Sequence, residues 1–144
     1  MRTSLVFVLL LLSGCGDPIV ILPGGALSGE PAAAPADWSA LESIDTIQVE
    51  FRPSDPYSHN IWAVGLGADL YIATSADGTR WTPFIEQDPG VRARVGRSLY
   101  DLKAVKLTDA EERAEVAAAY QKKYEIDADD NWVEDALIYR LDRR

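Results

Sequence analysis

Residues 60–75 read NIWAVGLGADLYIATS, and the pattern inside that stretch decides the fold. Two runs rich in β-branched and aromatic residues, NIWAVGL and DLYIATS, flank Gly67, Ala68 and Asp69. Runs of that kind joined by a short glycine-bearing connection read as a tight β-hairpin. Apolar residues at all three of Trp62, Ala63 and Val64 predict a strand covered on both faces.

Upstream, DTIQVEFRP alternates Ile47, Val49 and Phe51 with Gln48, Glu50 and Arg52, which predicts a half-buried strand closed by Pro53. Residues 53–60, PSDPYSHN, read as a turn-rich loop. Downstream, SADG at 75–78 is a loop. Thr82 is placed to cap and Pro83 to begin a short helix over residues 83–87, ended by Pro89 and Gly90. VRARV then alternates Val91, Ala93 and Val95 inward with Arg92 and Arg94 outward, and Gly96 and Arg97 turn the chain into SLYDLKAVKL. There Tyr100, Leu102 and Ala104 share one face.

The clearest helix spans residues 109–124. Thr108 followed by Glu111 forms a capping-box pattern, the first turn is acidic, and Lys122 and Lys123 sit in the last turn. Ala110, Ala114, Ala117, Tyr120 or Gln121, and Tyr124 form its predicted inner stripe. EIDADDN reads as a loop. ALIYRL reads as a closing strand with Leu137, Tyr139 and Leu141 opposite Ile138 and Arg140; Trp132 to Leu137 as a helical turn is the alternative. Six strand candidates and one good helix define an α+β, antiparallel β-rich domain, either a small barrel or an open sheet with a helix packed on it.

The chain has 144 residues, 23 acidic and 14 basic, and a net charge of -9. That length suits one domain, and the acidity argues against nucleic acid as a partner, because binding it depends on neutralising phosphates. At the start, Arg2 precedes the apolar run Leu5–Leu12, the pattern of a secretory signal. Leu12-Ser13-Gly14-Cys15 resembles the lipobox of bacterial lipoproteins. That likeness implies cleavage before Cys15, a diacylglyceryl group on its sulfur, and, with Gly16 rather than aspartate next, the inner leaflet of the outer membrane facing the periplasm. The expected organisation is a signal peptide over 1–14, a Gly/Pro/Ala-rich tether over 15–37 and a domain over 38–144. Ile19 to Leu22 could add a short edge strand within the tether, and because these four residues are apolar the segment could dock along the domain rather than float. No second cysteine is present, so disulfides within the chain are excluded.

The strings PYSHNIWAVGLGADLYIATS and RWTPFIEQDPGVRARVGRSLYDLKAVKLTDAEERAEVAAAYQKKY resemble the split β-barrel superfamily. Its members include pyridoxamine-phosphate-oxidase-like flavoproteins and deazaflavin-dependent nitroreductases. The resemblance runs from Ile44 to Tyr124. It implies a six-stranded Greek-key barrel, commonly a homodimer, with flavin mononucleotide (FMN) or a deazaflavin in a cleft between subunits. In the family the cofactor phosphate is often held where the third strand meets the short helix. The matching positions are Thr74, Ser75, Thr79, Arg80 and Trp81, and the lysine common at the start of that helix is replaced here by Thr79-Arg80-Trp81.

Independently of the family, Arg80, Arg92, Arg94 and Arg97 cluster in an acidic chain, and guanidinium forks suit phosphate or carboxylate. Arg80 with Arg92 or Arg94 could converge on an anion; alternatively Arg92 and Arg94 occupy a strand face paired with Glu50. Trp62, Trp81, Tyr71 and Tyr100 are either pocket walls or core. His59 is the sole histidine: a loop residue, a general base with Asp55, or the axial group of a haem site. DADDN at 127–131 is only a fragment of a calcium loop, with Ile138 where the twelfth-position glutamate belongs; no metal site is expected. The leading expectation is a lipid-anchored, non-catalytic module binding a small anionic or aromatic ligand or a protein. The alternatives are an FMN- or deazaflavin-dependent oxidoreductase and a haem-binding protein.

Overall fold

The computed structural model describes residues 17–127, 129–130 and 132–144; the expected signal peptide over 1–14 and the expected lipidation site Cys15 lie outside the described residues. The described residues form strands β1 (Glu30–Pro31), β2 (Thr46–Phe51), β3 (Tyr57–Leu66), β4 (Asp69–Thr74), β5 (Gly90–Val95), β6 (Ser98–Lys106) and β7 (Leu137–Arg143). Helices are α1 (Thr82–Gln87), α2 (Ala110–Tyr124) and the single turn α3 (Trp132–Asp135), with a 3-10 segment at Ser39–Ser43. Strands β2 to β7 close on themselves in the order β6-β5-β2-β3-β4-β7, with β7 returning to β6, and each of these pairs is antiparallel. The expected six-stranded barrel is therefore present, and β1 adds to β6 in parallel.

The alternation read in the sequence sorts side chains as a closed sheet requires. Ile47, Val49, Phe51, Ile61, Ala63, Ile72, Val91, Ala93, Leu102, Tyr139 and Leu141 fill the interior. Val64, Tyr71, Ala73 and Ile138 face outward and are buried under α2 and α3. Leu66 pairs with Asp69 across Gly67-Ala68, and Gly67 has φ +54, which gives the hairpin the backbone its twist needs.

Four expectations change in detail. Asp109, not Thr108, caps α2, its Oδ1 accepting from the Glu112 N–H at 2.9 Å. The buried stripe is Val116, Ala117 and Tyr120, while Ala110 and Ala114 face solvent. Thr82 does not cap α1; its hydroxyl donates to the Thr79 carbonyl at 2.8 Å and closes the preceding turn. Tyr57 to Asn60 belong to β3 rather than to a loop, because their partners in β2 extend the ladder to Phe51↔Tyr57.

Residues 17–37, the segment read as a tether, lie against the domain, the docked alternative for that stretch. On the outer face of the barrel, two polar rungs run across three strands: Asn60–Gln48–Arg94 and Ser58–Glu50–Arg92. The N-terminal segment lies over them as a strap. Asp17 Oδ2 meets Arg94 Nη2 at 2.7 Å, and Arg94 also donates to Gln48 Oε1 at 2.6 Å and the Ser28 carbonyl at 2.9 Å. Gly24 and Ser58 exchange both backbone hydrogen bonds at 2.9 Å. The Leu27 N–H donates to Glu50 Oε2 at 2.6 Å while its side chain, 4% exposed, is buried. The segment Ile19–Leu22 is not an edge strand: Ile19 and Leu22 bond only each other across a tight turn.

Helix α2 is tied to the barrel by its aromatic and basic side chains. Tyr120 Oη donates to the Trp62 carbonyl at 3.0 Å. Lys123 Nζ donates to the carbonyls of Leu41, Ile44 and Ala63 at 2.6–2.7 Å. Burial raises the pKa of Tyr71, Tyr120, Tyr124 and Tyr139, that of Tyr124 to about 12, and for Tyr71 the neighbouring Glu112 adds to it. A pKa raised on folding leaves stability intact below the unfolded value and removes it as pH climbs through the folded one. Stability is therefore expected to fall from about pH 10 upward. In an alkaline titration these four rings are expected to ionise with the loss of circular dichroism; tyrosinate absorbance rising fully before any unfolding would contradict this.

Candidate functional site

The barrel is split at one place. Strand β3 pairs with β2 from Tyr57 to Trp62 but with β4 only from Ala63 to Leu66, so its first half is paired with a strand on one side only. The chain leaving β4 turns at Ser75–Gly78, where the Gly78 N–H donates to the Ser75 carbonyl at 2.9 Å. Gly78 has φ +75 there, a conformation that disfavours a side chain. The chain then enters α1 through Thr79-Arg80-Trp81. Between this connection and the free edge of β3 lies a cleft of about 310 Å³.

Of the positions expected at a phosphate site, the structure brings four to this cleft: Thr74, Thr79, Arg80 and Trp81. Ser75 is exposed in the turn beside it, its hydroxyl donating to the Gly78 carbonyl at 3.3 Å. Trp81 is 4% exposed and stacks on Phe51 at 4.9 Å with 5° between ring planes, closing the end of the barrel interior. Its ring is core; only part of it forms the cleft wall. Arg80 is exposed, and its guanidinium carbon lies 5.5 Å from the Tyr57 ring centroid, a cation–π geometry. Among the described residues no carboxylate pairs with it.

Arg92 and Arg94 are not brought to the cleft. Arg92 donates twice to Glu50, from Nε at 2.9 Å and from Nη2 at 2.6 Å, and Arg94 is held by Asp17, Gln48 and Ser28. The paired reading of these arginines is the one the structure supports, and the expected convergence of Arg80 with either of them is absent. Arg97 meets Glu30 on the surface at 2.7 Å.

Sequence reasoning missed the contribution of β3. Tyr57, His59 and Asn60 line the cleft and sit in the stretch assigned to a loop, while Ile61 and Trp62, which also line it, fall in the predicted strand. The alternating tyrosine and histidine of YSHN were the available signal, hidden by the turn formers around Pro53 and Pro56. His59 Nδ1 lies 2.8 Å from the Asn60 carbonyl, which only accepts, so Nδ1 carries the proton and Nε2 is the open acceptor. The cleft lining contains one guanidinium, two threonine hydroxyls, an imidazole and aromatic edges, and no aspartate or glutamate. In a chain of net charge -9 that is a local inversion of sign.

No family model matches the sequence, and no curated protein matches it significantly. Solved structures do share the fold. An F420-H2 dependent reductase is similar at a TM-score of 0.56 with 13% identity, covering 81% of this chain and 100% of that one. An FAD-binding protein from Mesorhizobium loti has a TM-score of 0.55 and 13% identity over 72% and 84% of the two chains. The haem storage protein HutZ from Vibrio cholerae has a TM-score of 0.55 and 14% identity over the same shares. The architecture is thus the split β-barrel of the pyridoxamine-phosphate-oxidase-like and deazaflavin nitroreductase-like proteins.

Proposed function

We propose that this is a lipid-anchored cell-envelope protein whose barrel cleft binds a small anionic, aromatic ligand without transforming it. The observation that carries this reading is the sign of the cleft: Arg80 is its only full charge, no carboxylate faces it, and aromatic rings line its wall. A guanidinium beside hydroxyls suits a carboxylate, sulfonate or single phosphate, and the rings suit a planar body. The anchor reading rests on the lipobox ending at Cys15.

Structural neighbours with names that mention FAD, F420 or haem make a cofactor the natural rival. The residues of one protomer fit a whole flavin nucleotide poorly. The best stacking ring, Trp81, is packed on Phe51, so that face is closed to an isoalloxazine. The hollow of about 310 Å³ is also at the lower end of ligand pockets. A haem reading is favoured by one observation, the open Nε2 of His59 with its Nδ1 proton fixed by a carbonyl, an arrangement common in imidazole ligands.

The test is a fluorescence and absorbance titration of the purified protein with an aryl phosphate, FMN and haemin. The aryl phosphate is expected to bind, and Arg80→Ala to weaken it about tenfold or more, the loss of one charge-assisted contact. Stoichiometric FMN binding that depends on Arg80, with reduction of the bound flavin, would overturn the non-catalytic reading. A Soret band lost in His59→Ala would replace it with the haem reading.

A further inference from the structure

The large apolar side chains exposed among the described residues are confined to one place. They are Ile19, Val20, Ile21 and Leu22, between 61% and 78% exposed, and Trp62, 45% exposed. The four aliphatic residues form a single turn, closed by Ile19 N–H to the Leu22 carbonyl at 3.1 Å and Leu22 N–H to the Ile19 carbonyl at 2.8 Å. Val20 sits at φ +53, a conformation that β-branched residues rarely adopt. Backbone strain of this kind persists only where the surroundings impose it. Here Asn60 Nδ2 donates to the Val20 carbonyl at 2.9 Å, and Asn60 and Gln48 both reach the Pro18 carbonyl at 3.4 Å. The turn is therefore presented by the barrel, not left loose. A hollow bounded by Val20, Ile21, Thr46, His59, Asn60 and Trp62 lies between them, so the turn and the indole border one hollow whose other lining residues are polar.

We propose that this surface, the Ile19–Leu22 turn with Trp62, is seated in the lipid surface and fixes the orientation of the barrel on the membrane. A tryptophan beside aliphatic side chains is the composition of an interfacial contact, where the indole sits at headgroup depth and the aliphatic groups enter the acyl boundary. The position of the turn in the chain selects lipid as its occupant. Asp17 is held to Arg94 at 2.7 Å, so the barrel begins there and not at the end of a long tether. Cys15 is two residues earlier in the sequence, and two residues of chain can span at most about 7 Å. A lipid on Cys15 would hold the turn at the bilayer surface with almost no slack. This part of the argument rests on the anchor reading; the composition and rigid display of the turn do not.

The experiment uses the full chain processed by a bacterial host and reconstituted into phosphatidylethanolamine and phosphatidylglycerol vesicles with brominated acyl chains, read by tryptophan fluorescence. Trp38 and Trp81 are buried, and Trp132 is half-buried with its ring 6.2 Å from that of Trp62, so the measurement is made in a Trp132→Phe background, where quenching is expected to come from Trp62 and to disappear on adding Trp62→Phe. Ile21→Asn/Leu22→Asn is expected to reduce the quenching roughly tenfold. Its thermal midpoint should not change, because the altered side chains are exposed. Mass spectrometry of the same sample reports lipid on Cys15 separately. Quenching without lipid would keep this proposal and defeat the anchor reading. Lipidated protein that sediments with vesicles while Trp62 stays unquenched would overturn it. So would a dimer in sedimentation, broken by the same double substitution, since a second copy would then be the occupant.

Discussion

Replacing Arg92 by leucine is expected to destabilise the protein by about 3 kcal/mol, the price of leaving a buried carboxylate without its counter-charge. Glu50 is 0% exposed and lies beneath the strap, where Arg92 grips it with two nitrogens and the Leu27 N–H supplies a third donor. Arg92 is itself 29% exposed at the side chain, so solvent screens part of the pair and the effect falls at the lower end of the range for buried ion pairs. For a domain of this size the midpoint of thermal unfolding should drop by roughly 10 °C. The strap should loosen with it: hydrogen exchange at the Leu27 amide is expected to accelerate well beyond the change at Val49 in the interior. The double variant Glu50→Leu/Arg92→Leu is expected to recover about half of the loss, because it removes the orphaned charge and fills the space with apolar groups. If Arg92→Leu unfolds within about 2 °C of the parent, the pair does not hold the strap and the account of residues 17–37 fails.

A comparable loss is expected from a change of one methyl group, Gly65→Ala. A Cβ at this position would collide with the carbonyl oxygen of Trp38 and stand 2.6 Å from the Trp38 Cβ and 2.8 Å from its carbonyl carbon. These are backbone and near-backbone atoms, with no rotamer to yield. Trp38 is where the strap ends and the 3-10 segment begins. Its N–H donates to the Gly67 carbonyl at 2.7 Å, and its ring packs edge-on against Tyr100 at 5.1 Å. To relieve the contact the segment must lift from β3, withdrawing a buried indole and Leu41 from the end of the barrel. The expected destabilisation is about 3 kcal/mol, the upper part of the usual range for overpacking. Calorimetry checks it, and tryptophan emission should shift to the red as Trp38 meets water. Gly67→Ala is the control: nothing lies within 4 Å of a Cβ there, so only the strain of φ +54 remains and the loss should be near 1 kcal/mol. Equal losses at the two sites would show that the contact with Trp38 is not what excludes a side chain at residue 65.

Most of the barrel was legible in the sequence. The alternation of Ile47, Val49 and Phe51, of Val91 and Ala93, and of Tyr139 and Leu141 encodes strand and inner face together, because both follow from a period of two. The helix was legible from its polar ends, although competition between adjacent Thr108 and Asp109 moved the cap by one residue. Half of the cleft was legible as well: Thr74, Thr79 and Arg80 lie where the resemblance placed them. The other half was not, because Tyr57 and His59 stand among prolines and serines that favour turns, and only pairing with β2 makes them strand.

By itself the sequence determined the local elements and the inward set of side chains, since each depends on neighbours within a few positions. Only the tertiary structure decided what the outward polar side chains do. Glu50 looks like any solvent-facing residue of an alternating strand, yet it is buried because Leu27, far away in the chain, lies over it. Arg92 and Arg94 look as available as Arg80, yet two are neutralised by partners in the strap and β2 while the third is left facing the cleft. Charge and burial at those positions are set by groups distant in sequence and adjacent in space, and no local pattern records that adjacency.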